Sequence, residues 1–136
     1  MSAVSTPAFQ PGFRISVIDA AVLVAGAAGT AWCSRIDVTL AIAAAFVVAH
    51  FFLFCNVVRM DRTLELVWSG LFVALACAAQ GLAVIAWPWV FAASLACTGV
   101  LVALQLRRPS YHGIGWQRIN PGLPQWWERH RQPVLG

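Results

Sequence analysis

The chain has 136 residues, of which 60% are hydrophobic and 10% charged, where soluble domains carry about 25% charge. One domain of this size cannot hide so much apolar surface from water, so lipid is expected to be its solvent. The net charge of +4 comes from nine Arg and five acids, with no Lys; these arginines flank the apolar runs and form no separate basic domain, which excludes nucleic acid as a partner.

Residues 1–12 lack a basic leader, so they read as a cytoplasmic segment and not as a cleaved signal peptide. The first span is expected at about 13–33, with Asp19 as its one acid. A second follows at about 36–58, free of charge after Asp37. Residues 66–106 then run for 41 positions without Asp, Glu, Lys or Arg. As one helix they would measure about 60 Å, twice the ~30 Å of a hydrocarbon core, so they must turn and cross twice. Trp87-Pro88-Trp89 is the turning point, since proline suits a first helical turn and paired Trp the lipid–water boundary. Spans at 64–86 and 88–106 result.

The expected fold is therefore an all-α integral membrane protein, a four-helix transmembrane bundle over 13–106 with an Arg-rich, aromatic tail at 107–136. On this plan Arg14, Arg59, Arg62, Arg107, Arg108, Arg118, Arg129 and Arg131 share one side and Arg35 alone takes the other. The positive-inside rule then puts both termini in the cytoplasm, and the compact, Lys-free usage suits a bacterial inner membrane. Short connections impose tight antiparallel hairpins. Asp61 is positioned to cap the third helix, and Glu65 suits its first turn. Ala21, Ala25 and Gly29, Ala45 and Ala49, Ala74 and Ala78, and Ala92 and Ala96 recur every four residues. Such stripes of small residues let membrane helices approach closely. Cys33, Cys55, Cys77 and Cys97 fall one to each stretch with no CxxC pair, and read as small packing residues.

Polar groups inside spans carry the candidate chemistry. Asp19 reads as an interfacial acid paired with Arg14, Arg59 or Arg62, or else as a proton- or cation-coupling carboxylate. His50 reads as a hydrogen-bond donor across the bundle, or else as a ligand to haem or (bacterio)chlorophyll. A bis-histidine haem would need its second ligand from another chain. Gln80 is expected to bond between helices at mid-span. Asn56, Arg59, Arg62 and Glu65 crowd the second hairpin with Asp19 near them. They supply topology and ion pairs, and could hold the headgroup of a lipid or ligand.

The tail combines Arg107, Arg108, Tyr111, Trp116, Trp126 and Trp127 with four prolines. It is too rich in Gly and Pro for a long helix and too aromatic for a disordered linker. It reads as a segment lying on the membrane surface or docked to a partner, with one short helix at 123–130. The chain shows no catalytic, nucleotide or metal motif and no cofactor is expected. The expected function is a small non-catalytic accessory or structural subunit of a larger membrane complex, respiratory or photosynthetic in kind. It would contact lipids and either other membrane subunits or its own copies. The alternatives are a small oligomeric transporter using Asp19 and a cofactor protein using His50.

Overall fold

Ser16 decides where the first helix begins. In the computed structural model, which describes residues 8–131, Ser16 adopts an extended N-cap conformation and closes a capping box with Asp19. Ser16 Oγ accepts from Asp19 N at 3.1 Å, and the Asp19 carboxylate accepts from Ser16 N at 2.7 Å. Two orphan backbone donors are satisfied at once. Helix α1 therefore spans Val17–Cys33 rather than starting at 13, and Phe13 to Ser16 lie outside it.

Asp37 starts α2 (Val38–Phe52) in a similar way, its Oδ1 accepting from Thr39 N and Leu40 N. The helix continues through a π-helical turn, Leu53–Val57, that the sequence pattern did not announce. Helix α3 (Arg62–Gln80) stops six residues before the expected boundary of 86. Gly81 caps it, and Leu82 N bonds back to Cys77 O, so 81–86 form an irregular connection. Helix α4 (Trp87–Leu106) carries Pro88 in its first turn, as expected of proline. Trp87 Nε1 donates to Gln80 Oε1 at 3.2 Å. Gln80 thus joins two helix ends and does not bond at mid-span. Two short helices, α5 (Trp116–Ile119) and α6 (Leu123–Arg131), complete the described residues, which contain no strand.

Three of these segments are long and apolar enough to cross a membrane: Val38–Val57, Arg62–Gln80 and Trp87–Leu106. Helix α1 is apolar but has 17 residues, about 25 Å at 1.5 Å per residue. Large apolar side chains face outward along the helices, among them Val17 at 88% exposed and Trp89 at 71%. Such a surface is ordinary in lipid and costly in water.

The helices pack as two hairpins joined by aromatic rings. Along α1 and α2 the backbones approach closely at Gly26, where a Cβ would lie 2.6 Å from a Val48 methyl carbon. The expected stripe of Ala21, Ala25 and Gly29 is exposed. Residue 26 lies about 100° further round the helix than 25, enough to select a different row. Helices α3 and α4 form the other pair. Trp68 of α3 donates through Nε1 to Thr98 Oγ1 at 2.9 Å and to Ser94 O at 3.2 Å, both on α4. Its ring stacks on His50 of α2 and on Phe72, and meets the edge of Phe54. Phe54, Trp68, Phe72, Val90 and Leu101 form the buried core, to which α1 contributes no buried residue.

Candidate functional site

The last carbonyls of any helix lack partners within it, and the end of α2 satisfies its own in an unusual way. The π turn closes with Val58 N donating to Leu53 O at 2.9 Å, and Met60 N then reaches Phe54 O at 2.7 Å. Between them Arg59 takes φ = 52°, a left-handed conformation usual for glycine and strained for arginine. Val57 O remains open and accepts from Ile114 N in the tail at 2.8 Å. The tail is thus the C-cap of α2.

Gly113 makes this possible. A Cβ at Gly113 would lie 2.5 Å from Val58 O, 2.8 Å from Val57 O and 2.7 Å from the Tyr111 hydroxyl. Gly113→Ala should accordingly cost about 2 kcal/mol, a typical overpacking penalty. The expected sign is faster proteolysis of the tail with helix content retained; a wild-type digestion rate would show that the contact is not tight. Tyr111 is 1% exposed and donates to Ile114 O at 2.7 Å. Burial pushes its phenol pKa up. Asn120 donates to Pro109 O and Tyr111 O, folding α5 back beneath the turn.

The N-terminal segment closes over the same place. Gly12 N donates to His112 O at 2.7 Å and Arg14 N to Asn56 O at 3.3 Å. Phe9 sets its edge against Trp116 and Trp127. Asn56, 1% exposed, is the centre of the cluster. With its amide nitrogen turned toward them, it donates to Arg14 O at 2.6 Å and to Asp19 Oδ2 at 3.0 Å.

The charged residues divide into separate partnerships. Arg62 pairs with Glu65 at 3.3 Å, as their spacing of three predicted, and the Cys55 thiol donates to Glu65 Oε1 at 3.5 Å. Asp61 makes no side-chain cap to α3. Its carboxylate pairs with Arg108 instead, a charge-assisted bond that outcompetes a neutral amide. Gln105, fully buried, ties the same corner by accepting from Asp61 N and donating to Arg59 O. Asp19 forms no ion pair among the described residues, its Oδ2 being held by Ser16 and Asn56. Arg59 turns away from Arg62 and donates to Gln10 O. Burial, and then the neighbouring Arg14, lower its pKa.

Of the tail residues, Tyr111 is thus buried, and Arg108 is half-exposed and bound to Asp61. Trp116, Trp126 and Trp127 are partly buried, and Arg107 is exposed. Trp126 stacks on His130 along α6. His50 lies apart from this cluster, 6% exposed, with Phe46, Phe54 and Trp68 against its ring. Its Nδ1 is 2.8 Å from Phe46 O, so that nitrogen carries the proton.

Sequence reasoning did not single out Trp68, Gln105 or Gly113. A signal existed for the first, since Trp68 lies about 9 Å into its helix, away from the interface Trp favours, and so needs a buried acceptor. Gln105 and Gly113 gave no comparable sign, as their partners lie more than 40 positions away. No known protein family, no curated protein and no solved structure matches this chain.

Proposed function

We propose that the chain is a four-pass membrane protein with both termini in the cytoplasm, acting as a small non-catalytic structural subunit of a larger membrane assembly. Helix α1 is the fourth span on this reading, with Phe13 and Ile15 before it adding apolar side chains toward the ~30 Å a span needs. The hydrogen bonds of Gly12 with His112 and of Arg14 with Asn56 bring the segment before α1, the segment after α4 and the α2–α3 connection together at one end of the helices. All eight arginines assigned to the inner side belong to that cluster or to the tail after α4, which supports the orientation.

The observation that carries the subunit reading is the position of α1. It packs along α2, buries no residue of its own, and leaves Ala21, Ala25 and Gly29 facing outward. An apolar groove beside it is walled by Gly29, Ala44, Val47, Phe72, Ala76 and Trp87. A small-residue row facing out with a groove beside it suits close approach by a foreign helix.

Purification in mild detergent should recover larger membrane proteins in fixed stoichiometry, identified by mass spectrometry. Ala25→Phe should reduce that recovery about tenfold, the effect of one overpacked contact at an interface. Recovery of a clean small homo-oligomer, unchanged by the substitution, would count against the proposal.

A further inference from the structure

Arg59 and Trp127 meet at a small cavity whose walls also include Phe9, Gln10, Pro11 and His112. Its space of about 20 Å³ admits one oxygen-sized group. Two of the residues lining it, Trp127 and Arg59, carry donors that the described residues do not fully match with acceptors. Trp127 Nε1–H is buried with no partner among the described residues. The Arg59 guanidinium has no carboxylate within salt-bridge distance among them, in contrast to Arg62 and Arg108. Gln10 O accepts one of its hydrogens and leaves the charge uncompensated. His112 presents Nδ1 to Ser110 O at 2.8 Å, so in the neutral ring that proton is directed out of the cavity. None of the described residues lining the cavity is an anion.

The backbone strengthens this picture. Arg59 is held at φ = 52° immediately after a π-helical turn, and both features recur where proteins clamp ligands. The site lies just past the ends of the candidate spans Val38–Val57 and Trp87–Leu106, at the depth where lipid phosphates sit.

We propose that this cavity is an oxyanion site for a phosphate group, one of whose oxygens enters to accept from Trp127 Nε1–H and the Arg59 guanidinium. The phosphate belongs either to an anionic phospholipid or to a free phosphate, and the chemistry is shared. The membrane reading supplies the depth argument, while the cavity and its donors are independent of any subunit role.

The test uses the full chain. In nanodiscs of phosphatidylcholine doped with phosphatidylglycerol, native mass spectrometry should show selective retention of phosphatidylglycerol by the wild type. Arg59→Gln should reduce that retention about tenfold and Trp127→Phe about fivefold, matching a charge-assisted and a neutral hydrogen bond. In delipidated detergent solution, inorganic phosphate should instead change tryptophan fluorescence in the wild type but not in Trp127→Phe if free phosphate is the ligand. Trp127→Phe keeps the aromatic contact with Phe9, so it reports on the donor even if Arg59→Gln misfolds. Equal retention of phosphatidylglycerol by wild type, Arg59→Gln and Trp127→Phe, with no phosphate response, would overturn the proposal.

Discussion

Trp68→Ala should lower stability in detergent or bicelles by about 3 kcal/mol, the low end of the range for removing a buried tryptophan. The low end applies because lipid is as apolar as the core, so less transfer energy is lost than in water. What disappears is contact. Trp68 is 3% exposed, stacks on His50 at 4.6 Å between centroids and on Phe72 at 5.4 Å, and meets Phe54 edge-on. Those rings belong to α2, its π turn and α3, and the indole N–H reaches α4. One side chain therefore links the two helical hairpins. Trp68→Phe keeps most of the ring packing and loses the bonds to Thr98 and Ser94, so it should cost only about 1 kcal/mol. Equilibrium unfolding followed by circular dichroism measures both. A Trp68→Ala protein as stable as Trp68→Phe would mean that the stack holds little and that the hairpins associate by other contacts.

Asn56→Asp should be comparably damaging, at about 3 kcal/mol, although it changes almost no volume. The amide donates to Arg14 O and to Asp19 Oδ2 at 3.0 Å. A carboxylate there removes both donors and sets a second negative charge against Asp19 in a site that is 1% exposed. Asn56→Ala, which removes the donors and adds no charge, should cost less, about 1–2 kcal/mol. Asp19→Asn placed on the Asn56→Asp background should restore much of the difference, and a double-mutant cycle of thermal unfolding isolates that coupling. If Asn56→Asp and Asn56→Ala prove equal and Asp19→Asn rescues neither, Asn56 does not face Asp19.

Much of this site could be named from the sequence, but not its wiring. Asp19, Asn56, Arg59, Arg62 and Glu65 are rare polar groups at the margins of apolar runs, and they do gather at one end of the helices. Spacing foretold the one local ion pair, Arg62 with Glu65, because residues three apart on a helix are neighbours. It could not foretell Asp61 with Arg108 or Asn56 with Asp19, since those pairs join helix ends distant in sequence. The tail shows the same division. Its Gly and Pro forbade a long helix, and a short helix near 123–130 appeared at Leu123–Arg131. That Tyr111 would be buried and Gly113 pressed on two valine carbonyls depended on the unfinished end of α2.

By itself the sequence determined the solvent and the element type. Long uncharged runs must be helical in lipid because every backbone polar group needs an internal partner there, and the structure has three such helices. Tertiary structure alone decided which row of α1 meets α2 and which charges distant in sequence find each other. Helix ends follow from local caps such as Ser16 and Gly81, and a contact row turns on a rotation of one residue. The polar end closes only when the N-terminal segment, the π turn and the tail meet. Hydropathy is a property of each segment taken singly, whereas those contacts exist only between segments.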